Sequence, residues 1–318
     1  MRAVITGGAG FIGSNLTDRL LADGHTVTVI DNFSGGNRSF LASQSKNPRF
    51  NLIELDLRQT EKLTDALPTK TAVVFHLAAN SDISRGAVDP TIDFENTVKA
   101  TFSLLQAMKT KKVKKIVFTS GSGVYGDRGS HYSKETDGPL LPVSMYGSAK
   151  LSAEALISAF VHLHSMQAWI LRPANIIGPR LTHGVVYDFI GRLKTDPTKL
   201  RVLGDGHQSK SYLYVQDVVD ALLFILENAK DQINIFNLAS TNFITVNEIA
   251  AEVIGQLKLS QVKLEHTGGT VGWKGDVAIV RLNNQKLKHL GWQPRFTSKK
   301  AVKQTIAALL KDQRFSSL

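Results

Sequence analysis

The chain has 318 residues, 42% of them hydrophobic, enough to fill a large core, and no apolar run approaches the roughly 20 residues of a membrane helix. It contains no cysteine, which excludes disulfides, thiolate metal sites and a cysteine nucleophile. Its 38 Lys and Arg outnumber 27 Asp and Glu, for a formal charge of +11; the basic cluster around Lys111 lacks interleaved aromatics and reads as solvated surface, so no nucleic-acid partner is expected.

Taken in order, Ala3 to Ile5 predict a strand that runs into Gly7-x-x-Gly10-x-x-Gly13 and then a helix ending near Gly24. A second apolar run, Thr26 to Ile30, ends on Asp31, 24 residues after Gly7. Glycines in that spacing permit a tight turn and close backbone approach, while a new helix points free N–H groups and its positive dipole end at a diphosphate. An acid after the second strand binds ribose hydroxyls and repels a 2′-phosphate, which favours NAD over NADP. The first residues are not expected to act as a signal peptide, because the apolar stretch breaks at Gly7.

Further strands are predicted at Phe50 to Leu55, Ala72 to Leu77, Lys115 to Thr119 and Ala168 to Arg172, with helices near 92–109 and 147–164. This alternation predicts an α/β fold with a doubly wound parallel sheet of the Rossmann type. Ligands then bind beyond the carboxyl ends of the strands, where Asp56, Ala78, Ala79 and Ser120 fall. After Pro173 the regularity breaks at Gly178-Pro179-Arg180, Gly204-Asp205-Gly206 and Gly268-Gly269. The expected division is a dinucleotide domain over 1–172, with 209–240 packing back on it, and a smaller mixed α/β lobe over 173–318. A strand is expected at Tyr212 to Val215 and an apolar helix from Val218.

The chemistry is concentrated at Tyr146-Gly147-Ser148-Ala149-Lys150. Residues four apart share a helix face, so the phenol and the ammonium meet at one site. An ordinary tyrosine, with a pKa near 10, is a poor base at neutral pH, and a neighbouring cation favours its phenolate. The nine histidines show no metal-binding spacing, and no metal is expected. Trp169 and Trp292 read as packing residues.

These landmarks resemble the extended short-chain dehydrogenase/reductase superfamily, and specifically its UDP-glucose (UDP-galactose) 4-epimerase family. The matching segments are Thr6 to Ser14, Asp31-Asn32, Asp56-Leu57, His76-Leu77-Ala78-Ala79, Asn96, Thr119 to Gly126, Tyr146 to Lys150, Arg172 to Arg180, Lys210 to Val215 and Gly272 to Asp276. They cover nearly the whole chain in order. The resemblance implies that Gly7, Gly10, Phe11 and Ile12 line the NAD diphosphate, and that Asp31 holds the adenosine ribose. It places Asn32, Ser34 and Gly35 on the adenosine side, Asp56 and Leu57 on adenine, and Ala78, Ala79, Asn96, Tyr146 and Lys150 around the nicotinamide riboside. Asn175, Val185, Lys210 and Asp276 would hold the UDP portion of the substrate.

The implied reaction inverts C4 of a UDP-sugar. Tyr146 takes the 4-hydroxyl proton, the C4 hydride passes to tightly held NAD, and the 4-keto sugar turns and takes the hydride back on its other face. The absence of cysteine is read most simply as a cytoplasmic home, and the resemblance implies a homodimer that pairs the helices near 92–109 and 147–164.

This chain departs from the family pattern at several positions. The catalytic Ser or Thr of the family falls at Gly121, which leaves Ser120 as the first candidate for that hydroxyl and Ser122 as the second. Trp273 stands where many relatives carry Arg, with Lys274, Arg180 or Lys210 as replacements for its charge. Arg85 is one residue later than in close relatives and takes no assigned role. Val280, where some members have Tyr, would widen the pocket for N-acetylated sugars. Alternatives are a 4-epimerase of a UDP-N-acetylhexosamine or UDP-uronic acid, another nucleotide-sugar dehydratase or reductase, and a catalytically silent NAD-binding sensor. Ser122-Gly123, in place of Asp-Glu, argues against dehydration, and the intact Tyr146 and Lys150 argue against the sensor.

Overall fold

The computed structural model describes residues 1–273 and 275–316. The chain forms two compact units. Unit 1 comprises Met1–Val124, Ser144–Arg172 and Val219–Phe236; unit 2 comprises Tyr125–Val143, Pro173–Val218 and the residues from Asn237 onward. The segment Tyr125–Val143, which the sequence reading left within 1–172, thus belongs to unit 2.

Unit 1 is built on a seven-stranded sheet. Its strands are β1 (Arg2–Thr6), β2 (Thr26–Asp31), β3 (Phe50–Glu54), β4 (Val73–His76), β5 (Lys115–Thr119), β6 (Gln167–Pro173) and β7 (Ile233–Leu238). Their order across the sheet is β7-β6-β5-β4-β1-β2-β3, and the pairs from β6 to β3 run parallel. β7, just before which Gln232 O accepts from Ala168 N at 2.9 Å, carries no strand expectation from the sequence. The central strands are buried on both faces, as a parallel sheet covered by helices requires, so they read as continuous apolar runs rather than alternating ones.

Three helices position the site: α1 (Phe11–Ala22), α2 (Ala100–Thr110) and α3 (Met145–His164). The helix expected near 92–109 is made of three pieces: a short turn at Thr91–Asp93, a π-helical segment at Phe94–Lys99, and α2. A π turn inserts one residue and shifts the side-chain register, a feature concentrated at functional sites. Ser144 caps α3 by accepting from Gly147 N at 3.1 Å, which leaves Tyr146 in its first turn.

Unit 2 carries short two-stranded pairings: Asn175–Ile177 with Tyr212–Tyr214, Ser209–Lys210 with Ile244–Thr245, and Lys199–Val202 with Lys263–His266. Around them pack the helices Val185–Thr195, Val246–Gln256 and Ser298–Leu309. The expected strand at Tyr212 ends at Tyr214, and the following helix begins at Val215, three residues earlier than its apolar run suggests. No helix among the described residues is long and apolar enough to cross a membrane.

Candidate active site

The glycine loop after β1 is shaped by close backbone approach. Gly7 has φ of 72°, and a Cβ there would meet Ala78 N at 2.6 Å, so only glycine lets the loops after β1 and β4 touch. A Cβ at Gly13 would lie 2.6 Å from Gly8 Cα, and the start of α1 therefore rests directly on the loop. Gly10 precedes α1 without a side-chain cap, and Ser14 N is the first amide to bond back, to Gly10 O at 3.0 Å. The amides of Phe11, Ile12 and Gly13 thus begin a helix with no intrahelical acceptor and a positive dipole end.

Asp31 ends β2 beside this loop and is buried. Its Oδ2 accepts from Ala9 N at 2.9 Å and its Oδ1 from Phe33 N at 2.8 Å. Burial pushes its pKa up, and the two amide donors oppose the rise. Asn32 Oδ1 accepts from the backbone and hydroxyl of Ser34, and Asn32 Nδ2 reaches Asp56 Oδ2 at 3.5 Å. Arg58 clasps Asp56 and holds its carboxyl below the usual range. Gly35 has open space where a Cβ would be, and Leu57 is buried. The structure thus gathers the expected adenosine-side residues at the ends of β2 and β3.

This geometry suits a dinucleotide. A glycine-floored turn, an uncapped helix start and a buried acid at the next strand end are the groups that would hold a diphosphate and a ribose.

At the ends of β4 and β5 the second cluster forms. Ala78, Ala79 and Asn96 are half-buried, and Asn96 Nδ2 donates to Ile92 O at 2.9 Å. Lys150 is buried, and its Nζ donates to Thr119 O, the last residue of β5, at 2.8 Å. The same ammonium lies 4.9 Å from the Phe118 ring centre and 5.7 Å from that of Tyr146. Burial lowers the Lys150 pKa to about 8, with Glu154 and Asp93 opposing. Tyr146 is pushed up to about 12, first by burial and second by the Asp93 carboxylate. Its place in the first turn of α3 acts the other way, since a helix N-terminus favours the anion.

The loop after β5 carries the two candidate hydroxyls, Ser120 and Ser122. A Cβ at Gly121 would lie 3.4 Å from Tyr146 Oη, so the position at which the resemblance leads one to expect a Ser or Thr faces the phenol and carries no side chain here. Ser120, the first candidate, points its hydroxyl elsewhere: Ser120 Oγ donates to Glu154 Oε1. Arg172 Nε holds that carboxylate at 3.0 and 3.2 Å, and its Nη2 at 2.6 Å. All three side chains are buried. The hydroxyl of Ser120 is thus engaged by a buried ion pair and does not face Tyr146 Oη in this arrangement. Ser122, half-buried at the start of a 3₁₀ turn, has its hydroxyl bonded to no described residue.

Several neighbours escaped the sequence reading. Glu154 had a visible signal, lying four residues after Lys150 on the same helix face. Asp93, buried opposite α3, had none. His76 closes β4 as a neutral ring. Thr101 Oγ1 donates to Thr97 O, so His76 Nε2 donates to Thr101 Oγ1 at 2.9 Å and His76 Nδ1 accepts from Thr6 Oγ1 at 2.7 Å. Burial, with the Lys150 charge second, lowers the His76 pKa to about 3.

In unit 2 the expected substrate residues have these surroundings. Asn175 begins its strand and pairs through its backbone with the buried Tyr212. Val185 opens its helix after Gly184, whose φ is 96°. Lys210 Nζ bonds Asp276 Oδ1 at 2.6 Å, and Asp276 also accepts from Gly272 N and Val277 N. The Lys210 charge is thus already paired. Lys210 also sits 5.7 Å from the ring centre of Trp273, which is partly exposed. Arg180 occupies a left-handed backbone position, with φ of 69°. Lys274 lies outside the described residues. Val280 is half-buried, and Arg85 is exposed. No group of three metal-ligating side chains occurs among the described residues.

Comparison with known proteins gives a consistent result. Residues 3–239 match the NAD dependent epimerase/dehydratase family. A UDP-glucose 4-epimerase of Mycolicibacterium smegmatis is 32% identical over 312 residues, covering 96% of this chain and 97% of its own length. A crystal structure of a UDP-galactose 4-epimerase superposes with a TM-score of 0.87 at 37% identity, covering 98% of this chain and all of the other. A UDP-N-acetylglucosamine 4-epimerase from Methanobrevibacter ruminantium, solved with UDP-N-acetylmuramic acid, superposes equally well, with a TM-score of 0.87, at 26% identity over 97% of this chain and 99% of its own.

Proposed function

The chain belongs to the NAD dependent epimerase/dehydratase family, and from that premise we propose that it interconverts the C4 epimers of a UDP-hexose, UDP-glucose and UDP-galactose first. The observation that carries this reading is the Tyr146 phenol facing the open position at Gly121, with Lys150 anchored to Thr119 O on the same helix face.

The cofactor is NAD, held by Gly7, Gly10, Phe11, Ile12 and Asp31, with Asn32, Ser34, Gly35, Asp56 and Leu57 on the adenosine side and Ala78, Ala79 and Asn96 toward the nicotinamide. When bound, NAD supplies the acceptor and donor of the C4 hydride. The remaining chemistry belongs to the chain. Tyr146 as phenolate accepts the 4-hydroxyl proton and later returns it. Lys150 and the dipole of α3 stabilise that phenolate, offsetting the burial that opposes it. Ser122 donates to the reacting oxygen in place of the family's Ser or Thr at Gly121. Asn175, Val185, Lys210 and Asp276 hold the UDP, so binding energy resides in the nucleotide and the sugar is left free to turn.

A second substrate class is favoured by Val280, a small side chain where some members have Tyr, and by the likeness to an N-acetylglucosamine epimerase. On that reading the sugar is a UDP-N-acetylhexosamine, with a UDP-uronic acid next. The exposed apolar side chains Phe94, Phe102 and Leu163 support pairing of these helices with a second copy of the chain.

The test is NMR of purified protein with UDP-galactose and no added NAD, beside the Tyr146→Phe variant. UDP-glucose formation, much reduced in the variant, supports the proposal. No conversion of UDP-galactose, UDP-N-acetylgalactosamine or UDP-galacturonate, even with NAD added, overturns it.

A further inference from the structure

Asp93 is a fully buried carboxylate on a turn packed against α3, the helix that carries Tyr146 and Lys150, and no step of the reaction uses it. It ends the short turn Thr91–Asp93, which packs with the following π segment against α3. Its Oδ1 accepts from Asn80 Nδ2 at 2.9 Å. Its Oδ2 is buried with no hydrogen-bond donor among the described residues. Gly86 lies so close that a Cβ there would collide with the carboxylate. A buried anion half-satisfied by one neutral amide is costly to keep. Glu154, the other acid near Lys150, differs in being gripped by Arg172, which cancels most of its field.

We propose that Asp93 is a positioning residue for the Tyr146–Lys150 pair: a buried carboxylate, bonded to no cation among the described residues, that packs against the helix carrying both side chains and sets the pH range in which the pair is in its working state. The proposal rests on the reading of Tyr146 as the base.

The working state needs Tyr146 deprotonated and Lys150 protonated. A fixed negative charge favours the proton on both, so it raises the two apparent values together. The other charged and titratable groups facing this cluster are Asp82 beside Asp93, and Glu154 and His76 beside Lys150. Arg172 pairs with Glu154, and burial keeps His76 neutral down to about pH 3. Burial raises Asp93 itself, while the Asn80 donor and the Lys150 charge favour its ionised form. Neutralising Asp93 therefore moves both limbs of the activity profile to lower pH and leaves the profile's shape unchanged.

The experiment compares parent and Asp93→Asn, as NAD-bearing protein, in the pH dependence of kcat/KM. Tyrosinate absorbance of Tyr146 is measured in parallel, each background referenced to its Tyr146→Phe partner. Both limbs and the tyrosinate titration are expected to move to lower pH by about one unit. An unchanged tyrosinate titration, movement of one limb alone, or a shift to higher pH overturns the proposal. If Asp93→Asn does not fold, Asp93→Leu carries the same expectation with no polar atom to satisfy. The absorbance titration needs no sugar, so it separates failure of this proposal from failure of the epimerase reading.

Discussion

Gly121 and Tyr146 face each other so closely that a Cβ on the glycine would stand 3.4 Å from the phenolic oxygen, an ordinary van der Waals distance. The backbone at Gly121 does not need a positive φ, so a side chain fits there without strain. Gly121→Ser therefore places a second hydroxyl against Tyr146 Oη. We expect kcat to rise by up to about tenfold, and Ser122→Ala in the parent to lower it roughly 10²-fold, the scale of one lost hydrogen bond to a developing charge. In the double variant the new serine restores most of the loss. Steady-state kinetics on the four proteins checks this, and an inactive Gly121→Ser with normal Ser122→Ala would sink it.

The Ser120–Glu154–Arg172 cluster predicts the opposite division between rate and stability. Removing one partner of a buried ion pair leaves an uncompensated charge, at a cost of about 3 kcal/mol or more. Glu154→Gln should therefore lower the thermal midpoint well beyond Ser120→Ala, which removes one donor and costs about 1–3 kcal/mol. Ser120→Ala should keep kcat within a few fold of the parent. A large loss of kcat in a stable Ser120→Ala protein would return the catalytic hydroxyl to Ser120.

His76 gives a pH dependence of stability with a definite sign. Its folded pKa is about 3, against an ordinary value of 6.5. Between these values the unfolded chain binds a proton that the folded chain does not, so stability falls as pH drops below 6.5 toward 3. The slope from this residue is up to about 1.4 kcal/mol per pH unit. Thermal melts across this window should show a steeper acid loss for the parent than for His76→Asn. Equal slopes would mean that the ring takes up its proton without unfolding.

Much of unit 1 is legible in the sequence, because its signals are local in the chain. A parallel strand buried on both faces is a short apolar run, and Ala3 to Ile5, Thr26 to Ile30 and Lys115 to Thr119 all became strands. The glycines at 7, 10 and 13 report a turn that only glycine can make, and Tyr146 and Lys150 share a helix face by spacing alone. β7 and the π segment at Phe94–Lys99 were not legible. The first is an edge strand recruited by β6, and the second is an insertion in helix register that helical periodicity does not mark.

By itself the sequence determined that a glycine turn, an acid at the end of the second strand and a tyrosine–lysine pair are present, since each is a property of neighbouring residues. Only the tertiary structure decided where the hydroxyl of Ser120 points, because Glu154 and Arg172 are distant in the chain and a serine rotamer follows whichever acceptor folding brings to it. The same holds for Lys210 and Asp276, 66 residues apart, and for Asp93, whose burial arises from the packing of its turn on α3. Direction of a side chain, pairing of a charge and loss of water are long-range outcomes of packing, and spacing along the chain does not encode them.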